Sequence, residues 1–61
     1  MQVRDLIRIL EQNGWRVTRT TGSHRQYTHP MKSGTVTIAG HPGHDVPPGT
    51  LNNILKQARL N

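Results

Sequence analysis

Thr21-Gly22-Ser23-His24-Arg25-Gln26-Tyr27-Thr28-His29-Pro30 is the stretch on which the fold turns. Thr21-Gly22-Ser23 predicts a turn, and residues 24 to 29 predict a strand that Pro30 ends. Tyr27 is the one large apolar residue of that strand, so it is expected to face a core. Working outward, residues 15 to 20 (Trp-Arg-Val-Thr-Arg-Thr) alternate and are rich in strand formers. The connection to residues 24 to 29 is short enough to make the two strands an antiparallel hairpin. Met31-Lys32-Ser33-Gly34 predict a second turn. Thr35-Val36-Thr37-Ile38-Ala39 then predict a third strand, with Val36 and Ile38 on one side and the threonines on the other.

Helices are expected on both flanks. Val3, Leu6, Ile7 and Leu10 follow the spacing of one apolar helical face over residues 3 to 13. Asp5 suits the positive end of that helix, but no Ser, Thr or Asp precedes Val3, so its first turn is expected to fray. Asn13-Gly14 is a stop signal, because either residue tolerates the left-handed conformation that closes a helix. Residues 40 to 49 carry three Pro and three Gly and predict a loop. Asp45 is the expected cap of a second helix over about residues 47 to 60, with Leu51, Ile54, Leu55 and Ala58 as its apolar stripe. The expected fold class is α+β: a single domain over residues 1–61 with the order helix, three-stranded antiparallel meander, helix. Both helices cover one sheet face, and the other face is open to solvent.

Composition sets bounds on this layout. A chain of 61 residues buries only about 60% of the surface that its unfolded form exposes, so the core is thin. With 31% hydrophobic residues and no Phe, Trp15 and Tyr27 are expected to supply much of the buried area. No Cys is present, so neither disulfides nor thiolate zinc sites can hold the fold. Eight Lys and Arg against three Asp and Glu give a net charge of +5. That balance favours a polyanionic partner, most often a nucleic acid. The longest apolar run is two residues, which leaves no transmembrane helix or signal-peptide core. A cytoplasmic location, with no membrane partner, is expected.

Strand parity then sorts the chemistry. His24 is three positions from Tyr27, so a regular strand turns it to the open face. Gln26 and Thr28 share that face, joined by Arg16, Thr18 and Thr20 from the first strand and Thr35 and Thr37 from the third. Lys32 is expected at one rim. Arg25 has the wrong parity and would act from the strand edge or the turn. Hydroxyls and cations on a flat sheet suit phosphate and sugar contacts. A solvated strand face with threonines chosen for propensity would present the same residues. Imidazole is the side chain best matched to proton transfer near neutrality. RNA carries its own nucleophile in the 2′-hydroxyl, so cleaving it takes a base, an acid and cations for the developing charge. His29 shares the parity of Tyr27 and precedes a Pro, so a structural hydrogen bond is expected of it. His41 and His44 have H-x-x-H spacing but no obvious third ligand, so no metal or other cofactor is expected. Ser23 lacks any Ser-His-Asp constellation and is expected to be a turn or phosphate contact rather than a nucleophile.

These residues carry a family resemblance. The first helix running into Leu10-Glu11-Gln12-Asn13-Gly14-Trp15, the central Gly22-Ser23-His24 with Tyr27 and His29-Pro30, and Gly49-Thr50-Leu51 with Ile54-Leu55-Lys56-Gln57-Ala58 stand in order over essentially all of the chain. Together they resemble the HicA toxins, mRNA interferases of type II toxin–antitoxin systems. The resemblance implies a double-stranded-RNA-binding-like fold and metal-independent cleavage of mRNA. It makes the motif histidine, His24, essential, and it implies a HicB-type antitoxin partner covering the active region. Residues 40 to 45 hold fewer lysines than the family's loop. RNA contacts are assigned to Gly22, Ser23, Arg16, Arg25, Gln26 and Lys32. The alternatives are a non-catalytic RNA-binding module of the same fold and an interaction protein whose basic face docks an acidic partner.

Overall fold

The computed structural model describes residues 1–60. Helix α1 spans Val3–Gln12, strands β1, β2 and β3 span Arg16–Thr21, His24–Thr28 and Val36–Ile38, and helix α2 spans Pro48–Gln57. The strands form one antiparallel sheet in the order β1-β2-β3, the expected meander. Val3, Leu6 and Leu10 of α1 and Ile54 with Ala58 at the end of α2 are buried in one core. Tyr27, Val36 and Ile38 of the sheet, together with Trp15 and Val46, complete it. Cross-strand partners share a face, and Tyr27 pairs with Val36 while Arg25 pairs with Ile38. Both helices therefore cover the Tyr27 face, and the face that holds Gln26 and Thr37 is left to solvent.

The first turn of α1 does not fray. Its orphan backbone donors find carbonyls in the Gly/Pro loop: Val3 N–H donates to His44 O at 2.8 Å and Arg4 N–H to Pro42 O at 2.9 Å. Asp5 accepts from Gln2 N–H at 3.0 Å. Asp45 is therefore not the cap of α2. Its backbone pairs with Gln2 instead, and Pro47 occupies the α2 N-cap position without a side-chain cap. The loop thus ties the chain's beginning to the entrance of α2, which is reinforced by Val46 N–H donating to Met1 O at 2.8 Å.

Helix α2 is shorter than its apolar periodicity predicts. It stops at Gln57, and Arg59 takes φ +58°, the left-handed conformation that usually falls to glycine. Arg59 N–H donates to Lys56 O at 3.0 Å and Leu60 N–H to Leu55 O at 2.8 Å, the bond pair of a Schellman end. Leu60 then packs on the core from outside the helix. Strand β3 is also shorter than expected, because Thr35 and Ala39 lie outside the ladder.

The hairpin differs from expectation in a way that matters for the site. Its turn has two residues, Gly22 and Ser23, with Thr21 paired to His24 and Gly22 at φ +58°. Carried on without interruption, that register would set Val17 opposite Thr28 and turn it to the open face. An irregularity between Val17 and Arg19 makes Thr18 an extra residue, and Val17 pairs with Tyr27. The Thr18 hydroxyl donates across to Gln26 O at 3.3 Å. Even so, all of β1 is exposed, and Val17 is 49% exposed rather than packed like Trp15, because the buried core draws its strand residues from β2 and β3 and none from this edge strand.

Candidate active site

The bulge redraws the open face. Beyond it, Arg19 pairs with Gln26 and Thr21 with His24, so those four side chains share the solvent side. Thr20 pairs with Arg25 and has the parity of Tyr27, which removes it from the face where simple alternation puts it. Thr18 is the bulged residue. His24 keeps its expected place: it is exposed at the start of β2, next to the hairpin turn and opposite the buried Tyr27 side. Arg19 lies on the diagonal from His24, which in an antiparallel pair means roughly 7–8 Å between backbone positions. A two-residue alternation through residues 15 to 20 misses Arg19. The only sequence signal for it is the two-residue Gly22-Ser23 turn, whose register conflicts with the pairing of Val17 and Tyr27.

The other expected cations are bonded elsewhere. Arg16 has open-face parity, but its Nη1 donates to Glu11 O at 2.8 Å and to Trp15 O at 2.9 Å. It thereby places a positive charge on the C-terminal carbonyls of α1, the favourable end of the helix dipole for a cation. Arg25, half-buried, donates from Nη1 to Gly40 O at 3.1 Å and pins β2 to the turn after β3. Lys32 is not at the rim of the open face. Its Nζ lies 3.4 Å from Ala58 O at the end of α2, on the helical layer. Gln26 stays exposed on the open face, paired with Arg19 and Thr37. Ser23 is half-buried, and its carbonyl accepts from Gly40 N–H at 3.2 Å.

The remaining histidines separate clearly. His29 is structural, as expected. Its Nδ1 accepts from Met31 N–H at 2.9 Å, which assigns the proton to Nε2, facing Asn13 O at 3.0 Å. The ring meets Trp15 edge-on, with centroids 5.3 Å apart. It thus clamps the turn after α1 to the end of β2. The His41 and His44 rings meet edge-on at 5.0 Å. Among the described residues no three of His, Cys, Asp and Glu converge in a way that could hold a metal ion. Tyr27, on the buried side, has its phenol pushed above the ordinary value of 10.0 by burial, partly offset by Arg25 and reinforced by Glu11.

No described helix is long and apolar enough to cross a membrane. A search of curated proteins finds no match to the chain. The family model described as the HicA toxin of bacterial toxin–antitoxin systems matches residues 3–60, a span that takes in both helices, the meander and the Gly22-Ser23-His24 turn. With that match across nearly its whole length, the chain belongs to the HicA toxin family.

Proposed function

We propose that the protein is a metal-independent endoribonuclease that cleaves mRNA on its open sheet face, with His24 as the proton-transfer group. The observation that carries this is the position of His24: an exposed imidazole on a polar, cation-bearing face, in a chain of a toxin family. His24 takes the proton of an RNA 2′-hydroxyl as the 2′-oxygen attacks the adjacent phosphorus. The bond from phosphorus to the 5′-oxygen breaks, leaving a 2′,3′-cyclic phosphate on one fragment and a 5′-hydroxyl on the other. Solvent, which reaches this exposed face freely, supplies the proton to the departing oxygen. Gly22 and Ser23 at the turn and Gln26 on β2 are the proposed direct RNA contacts. Arg16, Arg25 and Lys32 add positive charge from positions already held by backbone carbonyls. A HicB-type antitoxin is the proposed partner, and covering this face would silence the toxin. A cytoplasmic site of action follows from the mRNA substrate.

The test is RNA incubated with purified protein in the presence of EDTA, with the parent beside His24→Ala. The parent is expected to cleave with EDTA present. The variant is expected to lose roughly 10²–10⁴-fold in rate, the usual worth of a general acid or base. Its thermal unfolding should be unchanged, because His24 is exposed. Full cleavage by a folded His24→Ala protein would sink the mechanism. Intact RNA that binds with a steep salt dependence would instead identify a binding module.

A further inference from the structure

We propose that Arg19 is the phosphate-binding residue of the active face, holding the scissile phosphate beside His24. This rests on the reading of that face as an RNA-cleaving site. Three observations converge on Arg19. The bulge at Thr18 turns it to the solvent side, where it pairs with Gln26 and lies diagonal to His24. It is exposed along its strand. Arg16, Arg25 and Lys32 each give a side-chain donor to a backbone carbonyl, whereas the Arg19 guanidinium enters no hydrogen bond among the described residues. A planar fork of donors is what the non-bridging oxygens of a phosphate call for, and those oxygens gain charge as the 2′-oxygen attacks. The bulge would then have a chemical purpose: it keeps Val17 opposite Tyr27 while placing a cation within one phosphate's reach of the imidazole.

The experiment compares the parent, Arg19→Gln, Arg19→Lys, Arg8→Gln and His24→Ala. Arg8 is exposed on α1, so its substitution removes the same charge from another surface. Two quantities are read: the cleavage rate, and the salt dependence of single-stranded RNA binding. Arg19→Gln is expected to cut cleavage at least about tenfold, and to lower the log–log salt slope by about 0.7, the worth of one phosphate contact. Arg19→Lys should recover the slope but only part of the rate, since an ammonium keeps the charge and loses the fork. Arg8→Gln should leave the rate near that of the parent. If His24→Ala is inactive while Arg19→Gln cleaves like the parent, the inference is overturned and the proposed function stands. An equal loss in Arg8→Gln and Arg19→Gln also overturns it, by reducing the effect to net charge. If the parent does not cleave RNA at all, the proposed function fails. The salt slope then still decides whether Arg19 holds a phosphate.

Discussion

At the scale of single residues, the glycines divide by what a methyl group would meet. Gly14 sits at φ +91°, and a β-carbon there would lie 2.7 Å from His29 Nε2. Gly14→Ala therefore combines a disfavoured backbone with displacement of the ring that bridges Asn13 and Met31. The expected loss is about 2–3 kcal/mol, from left-handed strain and a broken pair of hydrogen bonds. Gly49, in the first turn of α2, has open space around it and an ordinary backbone. Gly49→Ala is expected to add about 0.5–1 kcal/mol by restricting the unfolded chain and favouring helix. Urea unfolding of both variants checks the pair, and similar effects of the two substitutions would refute the role given to His29. The cations repay the same attention to local partners. Arg16, Arg25 and Lys32 look alike in sequence, yet each meets a different backbone carbonyl, so charge alone does not say which of them faces a ligand.

At the scale of elements, what was legible was periodicity, and what was not was local backbone geometry. The apolar stripe from Val3 to Leu10 and the alternation of Val36 and Ile38 reveal α1 and β3 because burial imposes those periods. The end of α2 is hidden because no glycine marks it: Arg59 takes the left-handed position, so the apolar pattern runs on through Leu60 after the helix has stopped. The frayed start expected for α1 fails for a related reason. Asp5 holds the Gln2 N–H from within the first turn, but the Val3 and Arg4 donors are met by carbonyls of His44 and Pro42, some forty residues away, which no local motif announces. The strained helix end gives a prediction. Arg59→Gly removes the steric cost of φ +58° and sacrifices only a long contact, 3.5 Å, to Ser33 Oγ. The expected gain is about 0.5–1 kcal/mol, less than the full left-handed cost because glycine also loses more entropy on folding. In a domain this small that is a rise of several degrees in Tm, read by circular dichroism. A fall in Tm would show that the Arg59 side chain contributes more than its backbone costs.

At the scale of the whole molecule, the two-layer design was legible because each element has a single apolar side, and one sheet face can bury all of them. The position of His24 followed from its distance to Tyr27 along one regular strand. The position of Arg19 did not follow, because it depends on a bulge that reconciles the turn with the core. The same one-sidedness makes the fold sensitive to alkali. Tyr27 anchors the core at the centre of the sheet, and burial holds its phenol above the ordinary value of 10.0. The native state then keeps a proton that the unfolded chain releases. The stabilisation linked to this is complete below pH 10.0, and it is lost as pH rises from there through the folded value. Tyr27→Phe keeps the ring and removes the ionisable group. Other alkaline losses, such as deprotonation of lysines, affect both proteins and cancel in the comparison. The difference in urea stability between parent and variant should therefore be constant from neutrality to pH 10.0 and shift steadily in favour of the variant above it. Parallel stability profiles across that range would mean that the phenol titrates in the folded protein as it does in water, and that the core is open to solvent at its largest sheet residue.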